Sequence, residues 1–177
     1  YVIDMHNFSV NSIIDIPLLS GKTIRNGIHS IYCDKENNAV WIGLFNQGVC
    51  YYHPSMNKLT LCNKKLLRGA WGGEEIRCML ETFGGDILMG TAQGLYRYDP
   101  KSHSMDILYK EFNQKNCRVL YEDSKKRIWV GTYHDGLYCI EAGKVRAYAY
   151  PDTDYQNELD FSNIRAIIED PSGRLWI

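Results

Sequence analysis

Apolar and polar positions in this chain alternate in short runs and do not recur every three or four residues. One run closes on Trp41-Ile42-Gly43, and the same ending returns at Leu88-Met89-Gly90, Trp129-Val130-Gly131 and Trp176-Ile177. An acid stands nine residues before each first-glycine position, at Asp34, Glu81, Glu122 and Glu169. A second glycine follows (Gly48, Gly94, Gly136) and leads into Val49-Cys50-Tyr51-Tyr52, Leu95-Tyr96-Arg97-Tyr98 and Leu137-Tyr138-Cys139-Ile140. Successive first glycines lie 47 and 41 residues apart.

Each unit reads as four short strands, A to D. In the second unit they fall at about 75–82, 86–91, 94–98 and 104–109. The A–B turns are Lys35-Glu36-Asn37-Asn38, Gly84-Gly85, Ser124-Lys125-Lys126 and Pro171-Ser172-Gly173; the C–D turns include Asp99-Pro100-Lys101-Ser102 and Glu141-Ala142-Gly143. Such Gly, Pro, Asn and Ser clusters between alternating runs are hairpin signals. No ten-residue window carries a helical stripe.

A four-stranded antiparallel unit with this period is a propeller blade. One sheet cannot bury both faces, and stacking sheets around an axis solves that. The expected fold is therefore all-β, a β-propeller of four-stranded antiparallel blades. Residues 1–177 are expected to form part of one such domain: a C–D half-blade at 1–16, blades at about 28–62, 75–109 and 117–149, and an A–B half-blade at 163–177. Tyr1-Val2-Ile3-Asp4 aligns with Tyr96-Arg97-Tyr98-Asp99, so the chain reads as an excerpt of a longer ring. Expressed alone, it is expected to associate through open blade faces. Gly43, Gly90 and Gly131 are expected where the next blade crowds the backbone. Gly48, Gly94 and Gly136 are expected where positive φ is needed. The Trp before the first glycine is expected to wedge between blades.

Composition agrees with a β-rich globular chain. Apolar residues are 45% and charged residues 23% of the 177, with 13 Tyr, 4 Trp and 15 Gly against 5 Pro. The net charge of -1 and the absence of a basic stripe argue against direct nucleic-acid contact. No apolar stretch is long enough to cross a bilayer. Six cysteines lack a Cys-x-x-Cys pair, so no zinc or redox motif is supported; the even count permits three disulfides, and the plainer reading is six small buried apolar residues. The five His are scattered, so no metal site is expected.

The run Ile164 to Ile177, with Glu169-Asp170, Gly173 and Leu175-Trp176-Ile177, resembles the two-component regulator propeller repeat. Arg118-Val119-Leu120-Tyr121-Glu122-Asp123, Arg127-Ile128-Trp129-Val130-Gly131-Thr132 and Gly136-Leu137-Tyr138 resemble it as well. The first unit departs with Asp34-Lys35, Leu44 and Val49; the second lacks the Trp and has a B–C loop one residue shorter. The resemblance implies the periplasmic sensor region of a hybrid two-component system. Its repeats build seven-bladed propellers ahead of a membrane helix, a histidine kinase and a response regulator. It also implies an oligosaccharide ligand derived from glycans, control of glycan-utilisation genes, a dimeric parent anchored in the inner membrane, and contacts with the remaining blades and downstream modules. No cofactor is implied, and kinase activity belongs elsewhere in the parent.

A meander places A–B and C–D turns at one end, and B–C loops and D–A connections at the other. The second end is longer-looped and more aromatic, and loops on a fixed scaffold carry function. Sugar recognition needs flat rings together with amides, carboxylates and guanidinium groups. Trp71 and Tyr133 are the candidate stacking platforms. Arg68, Asn46, Gln47, Gln93, His134 and Asp135 are the candidate polar contacts. Ordinary solvated loops, or loops sealed against another module, would read the same way. His134-Asp135 lacks a nucleophile at a telling spacing, so no catalytic residue is assigned. The alternatives are a propeller lyase or hydrolase, favoured by paired acids or a His–acid dyad converging from strand A starts, and a non-catalytic protein-interaction scaffold.

Overall fold

The computed structural model describes residues 2–3, 10–12, 27–35, 37–44, 48–56, 58–62, 75–99, 104–148 and 163–177. Strands β1 (Val2–Ile3) and β2 (Val10–Ser12) pair with each other. The first four-stranded sheet is β3 (Ile28–Asp34), β4 (Ala39–Leu44), β5 (Gly48–His53) and β6 (Lys58–Cys62). The second is β7 (Ile76–Glu81), β8 (Ile87–Thr91), β9 (Leu95–Asp99) and β10 (Ser104–Ile107). The third is β11 (Asn116–Glu122), β12 (Ile128–Tyr133), β13 (Leu137–Glu141) and β14 (Lys144–Tyr148), and β15 (Ile168–Glu169) pairs with β16 (Leu175–Trp176). Every pairing is antiparallel between sequence neighbours, so each sheet is a meander. Among the described residues there is no α-helix, only 3-10 turns at Pro54–Met56 and Lys110–Phe112.

Among the described residues, a small apolar core of Ile42, Leu44 and Cys50 lies on the first sheet alone, and three larger ones lie between blades. One joins Trp41 and Val49 of the first sheet to Ile76, Met89, Tyr96, Tyr98 and Met105 of the second. The next joins Leu88 and Leu95 to Phe112, Cys117, Leu120, Val130 and Tyr138. A third joins Trp129 and Cys139 to Ile164 and Ile167. Trp41 meets Tyr98 of the following blade edge-on at 4.8 Å, which makes it the expected wedge. Leu88 fills that slot in the second blade and is just as buried.

Close approach explains the strand B glycines. A Cβ on Gly43 would sit 2.9 Å from the Ile76 carbonyl, one on Gly90 3.0 Å from the Cys117 carbonyl, and one on Gly131 2.5 Å from Ile164 Cγ2. Ile76, Cys117 and Ile164 therefore hold the same place in successive units. Of the second glycines, Gly48 (φ 83°) and Gly136 (φ 80°) have the positive φ expected, whereas Gly94 does not. Its loop is one residue shorter and turns without left-handed backbone; space confines it instead, since a Cβ would lie 3.3 Å from the Phe112 carbonyl.

The column of acids divides into two roles. Asp123 is fully buried; its Oδ1 accepts from the backbone of Lys125 and Arg127, and its Oδ2 from Arg127 Nε (2.6 Å) and Trp129 Nε1 (2.8 Å). Asp170 does the same for Ser172, Arg174 and Trp176. Asp34 belongs with these two, since it accepts from Asn37 and from Trp41 Nε1, and its A–B turn is one residue longer. The glutamates act between blades. Glu122 Oε2 accepts from the backbone N–H of Phe83, Glu169 from both the N–H and the hydroxyl of Ser124, and Glu81 from the Tyr32 hydroxyl.

The cysteines are less uniform than expected. Cys50, Cys117 and Cys139 are buried and Cys78 is half-buried, but Cys33 is exposed, because it lies on the face of β3 turned away from the second blade. Burial pushes the Cys78 thiol up to about 12 and raises that of Cys117 as well, so neither is a ready nucleophile.

Candidate functional site

Strands β3, β7 and β11 are the A strands, and they lie side by side. Each begins, at the end of the B–C loops, with a register shift: at Ile28/Ser30, Ile76/Cys78 and Cys117/Val119. The extra residue in each bulge is His29, Arg77 or Arg118, and bulges re-aim a side chain. Arg165 follows Ile164 in the same place in the fourth unit.

These bulges form a polar rim. Glu75 has its side chain only 10% exposed; its Oε2 accepts from Arg77 Nη2 at 3.1 Å, and its Oε1 lies 3.5 Å from His29 Nδ1. Arg118 lays its guanidinium over the Tyr133 ring at 4.2 Å and reaches Asn163 Oδ1 at 3.5 Å. Asn163 also forms a β-bridge with Tyr133, and the N–H of Ile164 donates to the Thr132 carbonyl. The His134 ring leans on Tyr133 at 3.7 Å from left-handed backbone (φ 76°). Lys115 Nζ donates to Asp135 Oδ1 at 2.7 Å and lies over Tyr138. The hydrogen bond to Asp135 raises the Lys115 pKa against a smaller lowering by burial.

Among the described residues, four buried side-chain atoms have no hydrogen-bond partner: Glu75 Oε1, Arg77 Nε, Asn116 Oδ1 and Arg118 Nε. All four lie on the first residues of, or just before, β7 and β11. They are two acceptors and two donors. Buried polar atoms are normally satisfied, and an unsatisfied one calls for a water or a ligand. A partner that both gives and accepts, as a hydroxyl does, suits such a mixed set.

Of the residues expected at this end, Tyr133, His134 and Asp135 stand together on the B–C loop of the third blade. Gln93 is exposed on the loop of the second, where its carbonyl accepts from the N–H of Gln114. Trp71, Arg68, Asn46 and Gln47 lie outside the described residues. Tyr133 already carries Arg118 on its ring, so it acts here as a shelf for the guanidinium. The sequence alone does not single out the strand A residues, because polar–apolar–Arg triplets read as ordinary strand alternation. Glu75-Ile76-Arg77, Asn116-Cys117-Arg118 and Asn163-Ile164-Arg165 repeat at the blade period, and that repetition is the signal. Among the described residues no group of three His, Cys, Asp or Glu is placed to hold a metal ion, and no helix is long and apolar enough to cross a membrane.

The sheets and their packing define consecutive blades of a β-propeller. Residues 111–134 and 158–177 match the family model described as two component regulator propeller. No curated protein matches the chain. Among solved structures, the chain is similar to the extracellular domain of the putative hybrid two component system BT3049 from B. thetaiotaomicron, with 26% identity, a TM-score of 0.63, and coverage of 85% of this chain and 19% of that one. It is similar too to the extracellular domain of the putative one component system BT4673 from B. thetaiotaomicron, with 23% identity, a TM-score of 0.67, and coverage of 84% and 20%. An inactive H270A virginiamycin B lyase from Staphylococcus aureus shares the fold, at 17% identity and a TM-score of 0.61 over 91% of this chain and 50% of that one. The chain thus spans about a fifth of the length of the two extracellular domains.

Proposed function

We propose that this chain is part of a periplasmic sensor propeller of a hybrid two-component system. It binds a glycan-derived oligosaccharide at the end bearing the B–C loops, and binding is passed to a histidine kinase that controls glycan-utilisation genes. The parent is membrane-anchored and dimeric, and this segment performs no chemistry of its own. The observation that supports the ligand most directly is the strand A rim, where Glu75, Arg77, Asn116 and Arg118 hold unsatisfied donors and acceptors side by side. Sugar hydroxyls answer both kinds. The family repeats and the likeness to extracellular domains of two-component systems support the setting.

The approach of His29 to Glu75 favours a second reading, a lyase or hydrolase, since it is a His–acid pair converging from two strand A starts. Against it, Arg77 already occupies one Glu75 oxygen, and the nearby Ser30 hydroxyl donates to the Ile76 carbonyl and not to His29. Titration calorimetry with a panel of plant and host oligosaccharides tests the first reading. Saturable binding with the sugar recovered intact supports it; no binding overturns it, and sugar recovered cleaved or eliminated transfers the assignment to the second.

A further inference from the structure

The rim has an imbalance of charge that hydroxyl groups do not answer. Among its described cations, Arg77 is paired with Glu75 and Lys115 with Asp135. Arg118 has no carboxylate among the described residues. Its partners are the amide oxygen of Asn163, at the 3.5 Å limit of a hydrogen bond, and the face of Tyr133. It is half-buried, its Nε is buried and unsatisfied, and another cation, Arg165, follows Ile164 at the matching place in the next unit. A guanidinium drawn partly out of water without a counter-ion is costly. Its planar Nε–Nη edge fits a carboxylate or sulfate with two parallel hydrogen bonds. The Tyr133 ring lies 4.2 Å beneath the guanidinium carbon, and the Tyr133–Asn163 bridge ties the end of that strand to the segment carrying Asn163.

We infer that the saccharide bound at this end carries an oxyanion, either a uronate carboxylate or a sulfate ester, and that Arg118, braced by Tyr133, receives it. The inference rests on the saccharide reading above and narrows it. An ordered water satisfies Arg118 Nε but leaves the charge unanswered, and a neutral sugar does the same. An oxyanion answers both, while Asn116 Oδ1 and Glu75 Oε1 remain to accept from neighbouring hydroxyls.

Calorimetric titration of the full chain with paired probes tests it. One pair is an oligogalacturonide and its carboxyl-reduced neutral counterpart. The other is a 6-sulfated N-acetyllactosamine and the same disaccharide without sulfate. The wild type is expected to bind one acidic member about tenfold or more tightly than its neutral partner; which pair shows the difference identifies carboxylate or sulfate. Arg118→Gln is expected to abolish that preference, with Arg118→Lys keeping part of it. A thermal melt within a few degrees of wild type shows that Arg118→Gln is folded. Equal binding of the members of each pair, or a preference that survives in Arg118→Gln, overturns the oxyanion and leaves the saccharide reading standing. No binding of any member, acidic or neutral, overturns both.

Discussion

Asp123 accepts four hydrogen bonds while wholly buried, and so ties turn, strand and indole together. Asp123→Ala strands two backbone N–H groups and the Trp129 indole. It is expected to cost about 3 kcal/mol, measured by denaturant unfolding. Burial alone would raise the Asp123 pKa, but the bonds from Trp129 and Arg127 outweigh it and hold the carboxyl below its ordinary value. The sign follows from linkage. A depressed folded pKa stabilises fully above the unfolded value of about 3.9, and that contribution is lost as pH falls through the folded value. Asp123→Asn is therefore expected to be less stable at neutral pH and to lose less further stability between about pH 4 and 2 than the wild type does. Parallel slopes over that range would contradict the assignment. At Gly131 the expected effect is steric. An alanine Cβ would meet Ile164 Cγ2 and Val119 Cγ1, both at 2.5 Å, across and within the blade. Gly131→Ala is expected to cost about 1–3 kcal/mol, whereas an alanine at Gly143, which faces open space, pays only for its positive φ.

At the scale of the blade, strand, turn and wedge depend on one another. Leu88 occupies the Trp slot, and Thr82 occupies the place of Asp123, with its hydroxyl accepting from the Asp86 N–H. Restoring the repeat's own residue by Leu88→Trp is expected to destabilise by about 1–3 kcal/mol, because the slot is full and no carboxylate waits for the indole. Adding Thr82→Asp is expected to recover part of the loss; no recovery in the double variant would show that Asp and Trp are not a coupled pair. This level also shows what a sequence can carry. Strands and tight turns were legible at Trp41-Ile42-Gly43 and its repeats because alternation and turn chemistry are local. Counting back from the first glycine brings Asp34 into line with Glu122, whereas strand register sets it beside Asp123, because the first A–B turn is one residue longer. The inter-blade reach of Glu122 to Phe83 and of Glu169 to Ser124 spans 39 and 45 residues, and no local pattern announces it.

Across the whole molecule, three apolar cores among the described residues join neighbouring blades, and a fourth, of Ile42, Leu44 and Cys50, lies on the first sheet alone. Ile28 and Ile31 are exposed on the face that β7 and β11 use to meet the preceding blade. With only 3-10 turns outside the strands among the described residues, far-ultraviolet circular dichroism is expected to show less than about 15% helix, against the third that ordinary domains average. The end that carries the longer loops was legible from loop length and composition. The rim itself was not, because His29, Arg77 and Arg118 become neighbours only when separate A strands lie side by side. The central claim is that ligand binds at that rim. Hydrogen exchange measured with and without a saturating oligosaccharide tests it most directly. Added protection is expected at residues 75–77, 116–118 and 133–135, with the A–B turns at 83–86 and 124–127 unchanged. Protection confined to those turns, or none at the rim while the sugar is bound, would contradict the account.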